Sequence, residues 1–170
     1  MDPPATTITP EAFDDPVAER LVREAESELL RRYGPGVEEP SAASEAEPPL
    51  RPLRPGDFMP PVGVFLVARV GDEAVGCVGI RPQLGETAEV KRLYVRTSHR
   101  GGGLARRLMT AVEAWARELE YTRLVLETGD AQPEAVALYD SSGWTRTRVY
   151  FGAIPHVRSI YFRKDLGSAG

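Results

Sequence analysis

Cysteine, histidine and lysine are scarce in this 170-residue chain, and asparagine is absent. Cys77 stands alone, so an intramolecular disulfide is excluded; His99 and His156 lie far apart and offer no zinc-type ligand spacing. No structural metal is expected. No apolar run approaches the roughly 20 residues that cross a bilayer. The N-terminal MDPPATTITPEAFDD carries neither a basic nor an apolar signal region, so a cytoplasmic location without a membrane span is the default expectation. Only Lys91 and Lys164 among the 21 basic residues are lysines, which reads as a bias of base composition. With 42% apolar and 27% charged residues the remainder is ordinary for a globular chain, and its length suits a single domain over residues 1–170.

Charge is unevenly placed. From Lys91 to Arg107 there are six basic residues and no acidic one, so the rest of the chain carries −10 against an overall −4. A nucleic-acid surface would need a wider basic field with interleaved aromatics, and no nucleic-acid partner is expected. A compact anion fits one short basic segment better. The acidic remainder, including Glu38, Glu39, Glu45 and Glu47, favours a cationic ligand elsewhere on the chain over an acidic one.

Asp15-Pro16 supplies an N-cap and a first-turn proline, and Val17, Leu21, Ala25, Leu29 and Tyr33 then recur at helical spacing until Gly34-Pro35. Residues 35–63, rich in proline and glutamate, read as a long loop, either a tolerated insertion or a flap over a site. Val64–Val70 and Ala74–Ile80 form a hairpin about Gly71-Asp72-Glu73, and Ala88–Val95 is a third strand. A helical stripe follows from Leu104 to Leu119. Strand Arg123–Glu127, a short helix from Pro133 to Ser142, and a closing pair, Trp144–Phe151 with Ser159–Lys164, complete a mixed α/β (α+β) fold.

The junction Arg96-Thr-Ser-His-Arg-Gly-Gly-Gly-Leu-Ala105 joins the third strand to the second long helix. A glycine turn at a helix N-terminus gathers backbone N–H groups that lack intrahelical acceptors, at the positive end of the helix dipole. Arg96, Arg100, Arg106 and Arg107 add charge around it. The segment is neither a P-loop nor a dinucleotide fingerprint, since it lacks Gly-Lys-Ser/Thr and the GxGxxG spacing.

Leu93–Ala105 resembles the cofactor motif of the GNAT superfamily of N-acetyltransferases, Arg/Gln-x-x-Gly-x-Gly/Ala after a strand, with Arg100, Gly103 and Ala105 at the matching positions. Val64–Ile80 is similar to that family's central hairpin. Glu134-Ala-Val-Ala-Leu-Tyr-Asp-Ser-Ser-Gly-Trp144 is similar to its Ala-x-x-Leu-Tyr-x-x-x-Gly-Phe segment. The resemblance implies a mostly antiparallel sheet with splayed central strands, flanked by helices, and acetyl-CoA as co-substrate. Arg100, Gly101, Gly103, Leu104 and Ala105 would hold its pyrophosphate, and Leu93 and Val95 its pantetheine arm. Relatives often use an asparagine on the following loop, for which Gln132 is the substitute here.

The same resemblance implies direct attack of a primary amine, that of a small molecule, on the thioester in a ternary complex. Tyr139 would serve the departing thiolate as proton donor. Glu89, placed by strand alternation on the face of Leu93 and Val95, is the candidate base, with Glu127 or no dedicated side chain as the alternatives. Cys77, in an apolar strand, reads as a buried inert thiol. A non-catalytic acyl-CoA-binding regulatory module and a protein N-acetyltransferase are the competing readings. Edge-strand pairing is common in such folds and leaves a homodimer as one option.

Overall fold

The computed structural model describes residues 5–34, 52–150, 153 and 157–167. Seven strands form one sheet in the order β1-β2-β3-β4-β5-β7-β6, antiparallel at every junction except β4–β5. The strands are β1 (Thr6–Pro10), β2 (Val64–Val70), β3 (Glu73–Pro82), β4 (Thr87–Val95), β5 (Arg123–Gly129), β6 (Thr145–Thr147) and β7 (Ser159–Asp165). The helices are α1 (Pro16–Tyr33), α2 (Leu104–Glu118) and α3 (Pro133–Asp140). The mixed, mostly antiparallel architecture expected from the sequence is therefore present. The final hairpin is shorter than expected: β6 stops at Thr147, and residues 148–150 run on outside any strand.

α1 begins as its sequence dictates. The Asp15 carboxylate accepts the Val17 amide at 2.8 Å, and Pro16 occupies the first turn, where no N–H is needed. α1 packs on one sheet face, mainly β3 and β4, while α2 and α3 cover the other. The α2 face holds the larger core, with Leu108, Val112, Ile80, Leu124 and Phe162 fully buried. On the α1 face three rings interlock: Phe13 stacks on Phe58 at 4.5 Å, and both meet Phe65 edge-on, at 5.2 and 6.1 Å.

Phe58 lies in what the sequence suggested was the end of a long loop. Instead Pro55–Phe58 form a 3₁₀ turn that drives Phe58 into the core, 1% exposed. Residues 35–51, the acidic part of that loop, lie outside the described residues. The turn is held against the sheet by close backbone approach at Gly63, where a Cβ would overlap the carbonyl oxygens of Asp57 and Ile80. Gly63→Ala should destabilise the protein by at least about 2 kcal/mol, lowering Tm by roughly 4–8 °C. Gly56→Ala, whose Cβ meets nothing within 4 Å, should be near neutral, and equal effects in thermal melts would show that Gly63 is not a packing position.

Candidate active site

β4 and β5 pair at only three positions, Thr87↔Arg123, Ala88↔Leu124 and Glu89↔Val125, and then part. A cleft of about 930 Å³ opens between them, bordered by the backbone of Leu93 and Val95, the glycine turn and the start of α3. A bulge shapes this opening. Cys77 pairs with Tyr94 but Gly79 pairs with Lys91, so β4 holds one residue more than β3 there, and Arg92 adopts φ 60°.

The bulge corrects one expectation. Alternation along an unbroken strand would put Glu89 on the face of Leu93 and Val95, but the extra residue reverses the alternation after Lys91. Ala88 and Val90 face the α2 core together with Leu93 and Val95, whereas Tyr94 turns toward α1. Glu89 lies on the α1 face, where Arg81 Nε donates to it at 2.8 Å, Tyr150 Oη donates at 2.7 Å and Lys91 Nζ stands 3.2 Å away. Burial alone would raise its pKa. The charges of Lys91 and Arg81 and the hydrogen bonds from Tyr150 and Arg81 outweigh burial and hold the carboxyl below its ordinary value. Tyr150 is pushed well up by burial and by the Glu89 charge, so it remains a donor.

The glycine turn has the form expected of an anion cradle. Gly101 and Gly103 adopt φ 84° and 78°, which favour glycine, and Gly103 caps α2 with no side-chain hydrogen bond. The first α2 amide to find an intrahelical acceptor is that of Arg107, donating to Gly103 O at 3.1 Å. The amides of Leu104, Ala105 and Arg106 precede that bond. A Cβ built on Gly101, Gly102 or Gly103 meets no atom within 4 Å, so the space in front of the turn is open.

The arginines around the turn are less free than their sequence cluster suggests. Arg100 donates to Glu28 at 3.0 and 2.7 Å and, through Nε, to Val95 O at 2.7 Å. Arg96 is held by Glu24 and Glu73, and Arg92 by Glu26. Hydrogen bonding from Arg100 is the largest influence on Glu28 and lowers its pKa. Arg106 and Arg107 instead bond to Ser141 Oγ and Thr6 O, with no carboxylate partner among the described residues. Sequence reading missed this compensation, although Glu24, Glu26 and Glu28 on the preceding helix were its available signal.

Tyr139 lines the cleft and is buried between Trp144 and Phe162, at ring distances of 5.8 and 5.3 Å. Burial pushes its phenol well above the ordinary value, so it stays protonated. Gln132 is the N-cap of α3 and also lines the cleft, as does Glu127, which accepts the Ser159 hydroxyl at 2.5 Å. Cys77 is buried, its thiol pushed up to about 12 by burial and donating to Arg92 O at 3.3 Å, which suits an inert role. Among the described residues no group of three His, Cys, Asp or Glu side chains could hold a metal, and no helix is long and apolar enough to cross a membrane.

Comparison with known proteins agrees with this geometry. The family model described as the acetyltransferase (GNAT) family matches residues 23–144. An uncharacterised N-acetyltransferase of Schizosaccharomyces pombe is 35% identical over 144 residues, covering 82% of this chain and 83% of that protein. A solved structure from Klebsiella pneumoniae, assigned as an acyl-CoA N-acyltransferase, is 29% identical with a TM-score of 0.75, covering 95% of this chain and 98% of its own. A GNAT acetyltransferase of Elizabethkingia anophelis with acetyl-CoA bound shares the fold at 19% identity and TM-score 0.63, covering 94% and 97% of the two chains.

Glu89 titrates lower in the folded chain than the unfolded value of about 4.3. Its contribution is therefore complete above that value and is lost as pH falls through the depressed folded one. Glu89→Gln removes the buried carboxylate charge that Arg81 and Lys91 share and should cost about 3 kcal/mol at pH 7. The gap between wild type and variant, measured by urea unfolding across pH, should narrow only below about pH 4. A constant gap down to pH 3 would show that the Glu89 charge contributes nothing to the fold.

Proposed function

The chain belongs to the acetyltransferase (GNAT) family and is an acyltransferase; from that premise we propose that it moves an acetyl group from acetyl-CoA to the primary amine of a small molecule, by direct attack in a ternary complex. The observation that carries this reading is the parting of β4 from β5 directly below a helix N-terminus with open space before it. Past Glu89, β4 has lost β5 as its neighbour, and such an edge suits a pantetheine amide arm that pairs as an added strand. Leu93 and Val95 supply that edge. Gly101, Gly103, Leu104 and Ala105 fit the pyrophosphate through their backbone, with the Arg106 and Arg107 charges nearby. Arg100 contributes backbone more than charge, because its guanidinium is committed to Glu28. The acetyl-CoA-bound fold neighbour supports the choice of co-substrate.

Acetyl-CoA supplies an activated acyl group whose thioester an amine can attack. The amine must arrive unprotonated. Of the glutamates, Glu89 is a weakened base, held by Arg81 and Lys91, and is better suited to ordering the site. Glu127 lines the cleft, accepts the Ser159 hydroxyl and is the better acceptor of the amine proton. The C–N bond forms, the C–S bond breaks, and the amine proton ends on sulfur. Tyr139, neutral because it is buried, donates a hydrogen bond to the sulfur as charge gathers there.

The direct test is thiol release from acetyl-CoA with a panel of small amines, beside calorimetric titration of CoA. Amine-dependent release is expected; CoA binding without release by any amine would instead indicate a regulatory binding module. Tyr139→Phe keeps the ring against Trp144 and Phe162 and removes only the hydroxyl. Turnover should fall roughly 10- to 1000-fold, with CoA affinity and Tm nearly unchanged. Unaltered turnover where chemistry limits the rate would remove Tyr139 from the mechanism, and a lowered Tm would mark it as a core residue only.

A further inference from the structure

The last paired position of β4 and β5 is Glu89↔Val125. Two residues further along each strand stand Lys91 and Glu127, on the same α1 face and on opposite sides of the opening. Lys91 is placed there by its pairing with Gly79 and its contact with Glu89. Glu127 is placed there by alternation with Leu126, which belongs to the α2-side core. Both line the cleft.

Each has few polar partners of its own. Lys91 Nζ lies 3.2 Å from Glu89, but that carboxylate is also engaged by Arg81 at 2.8 Å, so Lys91 holds only a share of it. Lys91 has no other polar partner among the described residues, and its side chain is 22% exposed. Glu127 carries −1 and has no cationic partner among them; it accepts only the Ser159 hydroxyl. Nearby cations have acidic partners: Arg92 has Glu26, Arg158 has Asp130, and Arg100 has Glu28. Glu26, Asp130 and Glu28 are thus engaged within ion pairs at the cleft.

We propose that the acceptor bears a carboxylate beside its amine, as an α-amino acid does, with Lys91 receiving the carboxylate and Glu127 the amine. Paired strands lie about 4.8 Å apart and these two are parting, so an amino-acid head group can enter between the two side chains. Leu29 and Leu53 line the same cleft and suit an apolar side chain. The acetyl group leaves sulfur for the amine nitrogen, the amine proton passes by way of Glu127 to the thiolate, and the carboxylate is unchanged. This specificity rests on the acetyl-transfer reading above.

The experiment compares apolar amino acids with their decarboxylated amines, leucine with 3-methylbutylamine and phenylalanine with 2-phenylethylamine. A short peptide with a free N-terminus serves as the protein-like arm. Wild type should favour the amino acids in kcat/KM by about 10- to 100-fold, the range of one charge-assisted contact. Lys91→Met should bring that ratio near one, and Lys91→Arg should largely restore it. Equal use of acid and amine by wild type, better use of the peptide, or a ratio unmoved by Lys91→Met would each overturn the proposal. If no acceptor releases thiol, the acetyl-transfer reading fails separately. Melting with CoA and N-acetyl-leucine then decides the specificity: a Tm rise absent with N-(3-methylbutyl)acetamide and lost in Lys91→Met upholds it, and no such rise refutes it.

Discussion

Three paired positions hold β4 to β5, and the rest of the molecule is arranged around the place where that pairing stops. Backbone groups on a parted strand edge must find partners other than a neighbouring strand, because leaving them buried and unmatched is costly. The edge past Glu89 is therefore open to an extended polar chain. The bulge at Arg92 adds to this by turning β4 just beyond the last shared rung. The same β4 then runs through a short 3₁₀ turn into the glycines and α2. One strand thus presents an open edge and, a few residues later, the amides of a helix start.

α1 keeps that opening from collapsing. On one side its Glu28 holds Arg100 at the mouth of the glycine turn. On the other, Arg32 reaches Glu134 and the Ala131 carbonyl, while the Tyr33 hydroxyl accepts the Ala131 amide at 3.2 Å. The C-terminal turns of α1 therefore tie the cradle side to the β5–α3 side across the gap. These are partly exposed ion pairs, individually worth little in water. Their effect comes from geometry, since Glu28 and Arg32 lie four residues apart on one helix and are themselves paired at 2.6 Å.

Much of this was legible in the sequence, and the failures have physical causes. The N-cap of α1, the hairpin, the glycine turn and the Leu138-Tyr139 helix depend on local rules that act within a few residues. The face on which Glu89 lies did not follow, because one extra residue in β4 reverses alternation and nothing in Lys91-Arg92-Leu93 announces a bulge. The commitment of Arg92, Arg96 and Arg100 to α1 escaped for a different reason. A run of six basic residues looks like a charged surface until another element supplies the matching acids, and tertiary contact alone decides that.

The same compensation separates two kinds of recognition within one cleft. Where the phosphate end is proposed to lie, the Arg100 charge is absorbed by α1, and the backbone amides of the glycine turn remain, placed by the fold. Amides fixed by a helix start cannot be reoriented by changing one side chain, so that half of the cleft is set by the architecture. On the side proposed for the acceptor stand Lys91 and Glu127, side chains that a single substitution can exchange without touching the strand pairing beneath them. A fold organised in this way can keep its donor while changing its acceptor, because the constraint that opens the sheet is set by strand pairing and the charges proposed to read the second substrate are not.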